Sequence, residues 1–595
     1  MKVVISGIGA HCALGSSTKE LWDNIQQGKS GIRPITRFDV VDFKPKLGGM
    51  VQGGDDYESN EKRLLAYALI AAKEALYDAG ITGNNAVTLV LGTSNAVRGK
   101  KINNVSYSLA NELKLGGQVI TVSTACTSSS HAIGFGADLL RRGKAKLVIA
   151  GGVDILNIDV FAGFHCLGLL STAPCSPFSN SLGTTLGEGG GFLVMETEAS
   201  AKQRGIVPKA VFMGYGTAAD AFHDTRPDPS GSGIQKAITA ALKDSNLKPQ
   251  DIDYINAHGT GTAANDSAEW RGIQNALSDR ASQIPVSSSK SFLGHAQGAA
   301  GVLEAITTIS AMLHYVIPHT LNYSRPRPFS PIDPVAATCP RPHQTRFALC
   351  TNSAFGGLNT ALIFGSNDME CQAQRKTPRS ISILGHAVNF DKDYINKHIP
   401  FDDLRNTDLA AKLLAGVVAK LLNNAEIQFR SNECENTGLF VGQDDLSEDS
   451  LKALQNSIRD RGMKHLSAAA FTRLVVNYPA SVCCRLFGLK GPVAALAERP
   501  DNGMTALCLA ADTLAWRDGA DVMIVASVDT HNDNKNTPAG AVGILLKAQE
   551  GESPLCLTKW SMSGLTLNST SFPDTRGLYT LIETLENSKK VCKPT

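Results

Sequence analysis

The chain has 595 residues, of which 43% are hydrophobic and 19% are charged, and its 57 basic and 55 acidic side chains leave a net charge of +2. This length exceeds a single hydrophobic core and predicts about two to four domains of an ordinary globular protein. The balanced charge, without a polybasic run, gives no electrostatic case for binding nucleic acid.

The N-terminal segment and the cysteines bear on the compartment. The chain begins with MKVVISGIGA, a strand-like run without the apolar core of a signal peptide. No window reaches the roughly 18 uninterrupted apolar residues of a membrane span. The 13 cysteines form no CxxC pair, and no HExxH motif is present. We therefore expect reduced thiols, no metal site and a cytoplasmic protein.

Strand-like and helix-like segments alternate along the chain, and their order repeats. The first strand, VVISGIGAHC, is similar to SISILGHAVN at residue 380. The helix-patterned EKRLLAYALIAAKEALYDAGI and the strand VTLVLGTS have counterparts in DLAAKLLAGVVAKLLNNAEI and TGLFVGQD. Strands rich in valine and isoleucine that alternate with helices predict an α/β protein with buried sheets.

The repeat divides the chain into one and a half units. A first half, 1–215, runs on into a second half, 216–366, and together they form what we name the first unit. A polar linker, 367–379, leads to a second copy of the first half at 380–565, which we name the second unit. A tail, 566–595, follows it.

The motif TVSTACTSSSHAIG places a cysteine between a strand and a helix. The strand QVITVS precedes Cys126, and apolar residues at helical spacing follow it. A thiol at a helix N-terminus is expected to favour the thiolate, and the free amides there can hold an oxyanion. The alternative is a small core cysteine. The surrounding small and hydroxylated residues favour a nucleophile.

Three further motifs carry polar residues at strand ends. INAHGTGTAANDSAEW contains His258, VSSSKSFLGHAQGAAGVLEA contains Lys290, His295 and Glu304, and CTNSAFGGLN contains a glycine pair. Each histidine alone is more often structural than catalytic. Because α/β folds place their sites at the carboxyl ends of strands, we expect the two histidines to lie near the cysteine.

Together these motifs resemble the β-ketoacyl-acyl-carrier-protein synthases, the elongating ketosynthases of fatty acid and polyketide biosynthesis. The resemblance covers 1–366 and implies a thiolase fold of five αβαβα layers, followed by an additional half-thiolase-like α/β domain. It also implies substrates carried on the phosphopantetheine of a separate acyl carrier protein, with no cofactor and no metal.

The resemblance also implies a role for each residue. Cys126 is similar to the nucleophile that takes the acyl chain as a thioester. His258 and His295 are similar to the pair that stabilises the enolate when malonyl-carrier decarboxylates.

The supporting residues follow from the same resemblance. Lys290, Glu304 and Asp266 correspond to the family's supporting residues, and a purely structural set of buried ion pairs is the alternative. Phe355 corresponds to the gating phenylalanine, whose amide completes the oxyanion hole.

Two features distinguish this chain from relatives of the same fold. Degradative thiolases need a second cysteine in a C-x-G turn, which Cys350 does not provide, and initiating synthases have asparagine in place of the second histidine. The chain has GHAQG there, which favours decarboxylative elongation. The altered segments TNSAFGG and PFSNSLGTTLGEGG indicate a substrate other than the common fatty acid.

The second unit lacks the catalytic residues. Aligning GGVD on ASVD puts Pro500 or Asp501 at the position of Cys126, and Cys508 reads as a core residue. The unit resembles a truncated chain-length factor, the inactive partner of ketosynthases, and a structural remnant is the alternative. We expect an internal pseudo-dimer and make no prediction about further oligomerisation.

The second unit is about 25 residues longer than the first between its counterparts of Gly92 and Cys126. In family dimers this segment lies at the subunit interface and closes the partner's acyl pocket. Counting back from FGLKGP places Ala469, Ala470 and Phe471 at the possible chain-length gate. Two alanines there predict room for a long or rigid acyl chain.

The sequence therefore predicts a decarboxylating ketosynthase fused to an inactive half. A non-elongating acyltransferase of the same fold and a non-catalytic carrier-protein scaffold are the alternatives. The paired histidines and the intact set of catalytic residues disfavour both.

Overall fold

The structure is a computed structural model, and it describes residues 1–53, 57–82, 86–94, 101–180, 183–336, 338–369, 377–443, 445–497, 502–530 and 539–549 with Leu578 and Leu581. The first half of the first unit contains a buried mixed sheet and its helices. Its elements are β1 (Val3–Cys12), α1 (Thr18–Gln26), β2 (Ile32–Pro34), β3 (Leu47–Gly49), α2 (Asn60–Asp78), β4 (Val87–Gly92), α3 (Asn104–Glu112), β5 (Val119–Val122), α4 (Ser128–Arg141), β6 (Leu147–Asp154), α5 (Ile158–Cys166), β7 (Gly189–Thr197) and α6 (Glu198–Gln203).

The second half of the first unit repeats the alternation of strands and helices. Its elements are β8 (Ala210–Ala219), α7 (Ser232–Ser245), β9 (Tyr254–Asn256), α8 (Ala263–Leu277), β10 (Val286–Ser287), α9 (Lys290–Leu293), α10 (Ala300–His314), β11 (Val316–Ile317), β12 (Arg341–Pro342), β13 (Phe347–Ala354) and β14 (Leu358–Gly365). β8 runs across the division that we expected at 215–216.

The second unit has the elements of a first half and additional helices between its second and third strands. They are β15 (Ser380–Asn389), α11 (Phe401–Leu404), α12 (Leu409–Asn424), α13 (Asn432–Glu435), β16 (Thr437–Gly442), α14 (Glu448–Arg461), α15 (Ala468–Thr472), α16 (Tyr478–Phe487), β17 (Val493–Ala497), α17 (Asn502–Trp516), β18 (Val522–Asp529) and β19 (Gly540–Gln549). The additional segment, which contains α14 and α15, is the one that the length comparison predicts.

Capping side chains explain where several helices begin. Ser59 accepts a hydrogen bond from the amide of Lys62 at the start of α2, and Asp408 accepts one from Ala411 at the start of α12. Such caps satisfy amides that have no partner within the helix.

The strands follow the same order in both units. The order is β5-β4-β6-β7-β1 in the first unit and β17-β16-β18-β19-β15 in the second. In each set the first three strands are parallel and the last two run antiparallel to their neighbours. β1 also pairs with β8, from which β14, β13, β9 and β10 continue.

The first unit is layered, with α4 and α10 between its two sets of strands. All residues of α4 from Ser128 to Leu140 are buried, as are those of α10 from Ala300 to Met312. A helix that is buried on every side forms an inner layer. With α2 packed outside β1 and β7, and α7 outside β8 and β14, the order of layers is αβαβα.

The two units meet edge to edge. β5 pairs antiparallel with β17, with Val122 opposite Leu496 and Thr121 opposite Ala497. The strands of both units therefore form one continuous sheet, and we name this junction the seam. Beyond 549, only Leu578 and Leu581 are described, and both are buried in a hydrophobic cluster that contains residues of both units.

Candidate active site

Cys126 lies in a braced turn between β5 and α4. The turn, Ala125–Thr127, is a single 3-10 turn, and Ala125 has a left-handed φ of 51°. Ser128 Oγ accepts from the amide of Thr124 at 2.9 Å and donates to the carbonyl of Ala125 at 2.6 Å. A non-glycine residue in this conformation is strained, and the hydrogen bonds of Ser128 hold it there.

Cys126 lies directly before α4, as the sequence predicts, but its burial opposes the thiolate that we expected there. Cys126 is only 7% exposed, and burial raises the pKa of its thiol to about 12, although the charge of Lys290 opposes this. His295 Nε2 lies 3.0 Å from Cys126 Sγ, and burial holds the pKa of His295 well below its usual value. Because burial disfavours both charged forms, it favours a neutral thiol beside a neutral imidazole as the resting pair.

The backbone of His295 is clamped by a neighbouring loop. Its amide donates to the carbonyl of Thr185 at 2.7 Å, and its carbonyl accepts from the amide of Gly187 at 2.8 Å. Gly294 precedes it with a φ of 73°, a conformation that suits glycine. The imidazole is therefore presented to the thiol from a fixed backbone.

His258 follows β9 and is held by three partners. Its amide donates to Glu269 Oε1 at 2.7 Å. Its Nδ1 lies 3.1 Å from Lys290 Nζ and 3.4 Å from Asn352 Nδ2, both of which are donors. Nδ1 must therefore accept, and the ring proton sits on Nε2. The rings of His258 and His295 meet edge to face, with centroids 5.2 Å apart.

Lys290 and Glu304 form an ion pair behind His258. Both side chains are 2% exposed. Burial raises the pKa of Glu304 above its usual value, and Lys290 and Asn352 partly offset this rise. Removing one partner of such a buried pair strongly destabilises a protein, because the other charge is left uncompensated. Lys290 and Glu304 therefore hold each other in place.

Asp266 lies apart from that ion pair. Its carboxylate accepts from the amides of Phe178 at 2.8 Å and Gly261 at 3.1 Å, and it lies 3.6 Å from Arg327 Nη1. Asp266 thus ties together the loops around the site, whereas Glu269, one turn further along α8, holds the backbone of His258.

Glu269 was missed in the sequence. Besides the amide of His258, it accepts from the amide of Gly259 at 2.8 Å and from Thr351 Oγ1 at 2.7 Å, and burial raises its pKa to about 7. Its spacing of three residues from Asp266 on one helix was the available signal.

Phe355 lies in the turn between β13 and β14. Its ring stacks on Phe164 with centroids 5.2 Å apart, and its carbonyl accepts from Asn477 Nδ2 of the second unit at 3.1 Å. Gly356 has a φ of 84°, and a Cβ there would lie 1.9 Å from Ser481 Oγ, also of the second unit. The second unit therefore borders this turn.

A narrow pocket of about 100 Å³ contains the three predicted catalytic residues. All of its described lining residues belong to the first unit. Besides Cys126, His258, His295 and Phe355 they include Phe164, Leu169, Asp220, Thr260 and Asn265.

The predicted chain-length gate does not line this pocket but packs against Phe164, which does. Phe471 is buried, its ring lies 5.9 Å from that of Phe164, and a Cβ on Gly163 would meet it at 2.1 Å. Ala470 is buried and Ala469 half-buried in the same short helix, α15. Neither alanine is among the described lining residues of the pocket.

Several remaining predictions concern absences or fall outside the described residues. Pro500 and Asp501, the predicted counterparts of Cys126, lie outside them. Within the described ranges, no cluster of three His, Cys, Asp or Glu side chains is arranged to hold a metal ion. No described helix is both long and apolar enough to cross a membrane.

Two family models match the chain. The model for "Beta-ketoacyl synthase, N-terminal domain" matches residues 1–201 and again 363–551, and that for "Beta-ketoacyl synthase, C-terminal domain" matches 209–324. The N-terminal model alone covers more than half of the chain.

Known proteins agree with these matches. The chain is 33% identical to 3-oxoacyl-[acyl-carrier-protein] synthase 2 of Vibrio harveyi over 407 residues, which are 61% of this chain and 98% of that protein. It is 32% identical to the solved ishigamide ketosynthase/chain length factor, with a TM-score of 0.58 over 61% of this chain and 99% of that chain.

A third comparison concerns the fold alone. The PfaC keto synthase-chain length factor superposes with a TM-score of 0.75 over 92% of this chain and 78% of that chain, at 17% identity. The predicted thiolase fold is thereby confirmed. The chain belongs to the β-ketoacyl synthase family.

Proposed function

We propose that the protein catalyses decarboxylative Claisen condensation of an acyl thioester on Cys126 with malonyl-carrier protein, in fatty acid or polyketide biosynthesis. The observation that carries this proposal is the convergence of Cys126, His258 and His295 in one pocket, with the thiol 3.0 Å from one imidazole. The name of the Vibrio harveyi relative supports the same reaction class. The enzyme is an acyltransferase.

Loading begins from the neutral pair. Cys126 Sγ attacks the acyl-carrier thioester while His295 Nε2 takes the thiol proton. The carbon–sulfur bond to the carrier breaks, and the proton passes to the departing carrier thiolate. The amides of Cys126 and Phe355 hold the oxyanion, as the resemblance implies.

Malonyl-carrier then enters the acylated site. His258 donates a hydrogen bond from Nε2 to the malonyl thioester oxygen. Nε2 of His295 is bare after loading, so His295 donates to the same oxygen only after its ring proton has moved from Nδ1 to Nε2. Carbon dioxide leaves, and the electron pair of the broken carbon–carbon bond forms an enolate on the thioester. Lys290 and Glu304 hold His258 in its donating tautomer.

The enolate carbon attacks the acyl carbonyl. A carbon–carbon bond forms, the bond to Cys126 Sγ breaks, and the thiolate takes up a proton from water to restore the thiol. The product is a β-ketoacyl-carrier protein. Both substrates arrive on the phosphopantetheine of separate carrier proteins, so the protein needs no resident cofactor.

The second unit acts as an inactive, chain-length-factor-like partner within the same chain. We divide the chain for this purpose into 1–215, 216–366, a linker at 367–379, 380–565 and a tail at 566–595. The repeated strand order and the pairing of β5 with β17 support an internal pseudo-dimer. The N-terminal family model also matches residues 363–551, which supports an origin of the second unit as a copy of the ketosynthase N-terminal half.

The additional segment of the second unit shapes the acyl pocket. Support comes from α15, which packs on α5 and brings Phe471 against Phe164 at the pocket wall. The small side chains of Ala469 and Ala470 beside Phe471 support a tunnel for a long or rigid chain. The described cysteines are free thiols, which supports a reducing, cytoplasmic location.

Intact-protein mass spectrometry tests the reaction. Incubation with acyl-carrier protein should add one acyl group, which mapping should place on Cys126, and malonyl-carrier should then release carbon dioxide. Cys126→Ala should accept no acyl group. An acyl group on another cysteine of that variant would refute the nucleophile, and loading without release of carbon dioxide would indicate a non-elongating acyltransferase.

A further inference from the structure

Asn352 lies where three parts of the site meet. It is fully buried on β13. Its Nδ2 donates to Glu304 Oε2 at 2.5 Å and lies 3.4 Å from His258 Nδ1, and its Oδ1 accepts from Ser130 Oγ at 2.6 Å. Because an ionised carboxylate only accepts, Glu304 fixes which end of the amide faces the histidine.

We propose that Asn352 is a positioning residue for decarboxylation, which keeps Nδ1 of His258 an acceptor and so keeps the ring proton on Nε2. This inference rests on the proposed function. It extends the catalytic set by a residue that contacts neither the thiol nor His295 among the described hydrogen bonds.

The charged and titratable groups around His258 show why a second donor matters. Lys290 approaches Nδ1 from α9, Glu304 faces Lys290 and Asn352 from α10, Glu269 holds the backbone from α8, and His295 meets the ring edge. Among the described residues, Lys290 and Asn352 alone donate to Nδ1. Lys290 has a flexible side chain that Glu304 also attracts, whereas the short side chain of Asn352 is fixed on a strand.

A proton on Nδ1 would face both donors and would leave Nε2 bare. A bare Nε2 cannot donate to the oxygen on which the enolate charge develops. Two donors therefore raise the cost of the inactive tautomer.

Two substitutions of Asn352 distinguish the effect of its Nδ2 donor from the effect of its side-chain volume. Asn352→Leu removes the donor without adding an acceptor and should lower carbon dioxide release about tenfold or more at every pH, while acyl loading of Cys126 persists. Asn352→Asp places a second carboxylate against Glu304, and two such groups share a proton at low pH. When pH rises and that proton is lost, the carboxylate accepts from Nδ1 and draws the proton off Nε2.

The Asn352→Asp enzyme should therefore lose carbon dioxide release as pH rises from about 6 to about 9, in a descending limb that the wild type lacks. Asn256→Leu is the matched control, since it removes a buried amide that donates to the carbonyl of Glu304 at 3.2 Å and to Thr308 Oγ1 at 3.1 Å. It should lower thermal stability and leave the pH profile unchanged.

The full chain and a malonyl-loaded bacterial fatty-acid carrier protein serve for each measurement. Release within twofold of wild type by Asn352→Leu, or a wild-type pH profile in Asn352→Asp, overturns the inference alone. If Asn352→Leu fails to fold, the isosteric Asn352→Asp variant decides. A wild-type enzyme that loads acyl groups but releases no carbon dioxide overturns the proposed function and this inference with it.

Discussion

Replacing Arg517 by alanine tests what holds the second unit against the first. Arg517 follows α17 and reaches into the first unit, where Nη1 lies 3.3 Å from Asp244 Oδ2 and 3.5 Å from Asp138 Oδ2. Its guanidinium carbon lies 3.6 Å from the ring centroid of Tyr215. The side chain is only 9% exposed, so these charges interact with little screening by water.

The expected cost follows from the partners that remain. Removing one member of a buried ion pair typically costs about 3–5 kcal/mol because the other charge is left uncompensated. Arg141 still lies 3.0 Å from Asp244 and 3.7 Å from Asp138 and compensates in part. We therefore expect Arg517→Ala to lower the free energy of unfolding by about 3 kcal/mol, the lower end of that range.

Urea unfolding followed by tryptophan fluorescence measures this cost, since Trp516 adjoins Arg517 and lies 4.3 Å from the guanidinium of Arg142. Lys144→Ala is the matched control. Lys144 also pairs with a residue of the second unit, Asp512 at 2.5 Å, but its side chain is 45% exposed. Such a surface pair is worth about 1 kcal/mol or less. Equal urea midpoints for the two variants would refute the reasoning.

The pH dependence of the free energy of unfolding gives a second, independent test of the Arg517 ion pair. Burial raises the pKa of Asp244, but Arg517 and Arg141 outweigh burial and lower it to about 2, from an ordinary 3.8. A depressed pKa contributes stability that is complete above about pH 4 and is lost as pH falls towards 2. Arg517→Ala raises that pKa, so the stability difference from wild type should be complete above about pH 4 and should narrow below it.

Three further results are expected. His258→Ala should still load acyl groups but lose carbon dioxide release about 10²–10³-fold, whereas His295→Ala should slow both steps, and wild-type release in both would contradict the assigned roles. Residues 1–366 expressed alone expose the β5 edge and should aggregate in size-exclusion chromatography, which a fully active monomer would contradict. Ala469→Phe and Ala470→Trp, once shown to fold, should shorten long products and spare short ones, and unchanged product lengths would show that the second unit does not set length.

The sequence predicted much of the site because its residues follow strand ends. Cys126 and His258 follow the buried strands β5 and β9, and His295 follows the short helix α9 after β10. Because α/β folds place functional residues after the carboxyl ends of strands, this pattern predicts that the three side chains gather at one site. The repeat predicted a second copy of the first half, and the two units do share one strand order.

Side-chain partners across distant elements escaped the sequence. Asn352 and Glu269 reach His258 from a strand and a helix whose register appears only after folding. Asp266, which lies on the same helix as Glu269, instead accepts from the amides of Gly261 and Phe178. The burial that disfavours the thiolate of Cys126 depends on the whole surrounding structure, whereas the helix dipole can be predicted from the local pattern.

The turn that carries Phe355 contacts both units. Its ring stacks on Phe164 of the first unit, and its backbone contacts α16 of the second unit. Its carbonyl accepts from Asn477, and Ser481 occupies the space where a side chain on Gly356 would project. Any rearrangement of this turn must break that hydrogen bond or carry α16 with it. Contacts from both units therefore contribute to the energy barrier of such a movement. A substitution in α16 is expected to change the rate at which this turn moves beside Cys126, although α16 contacts no reacting atom.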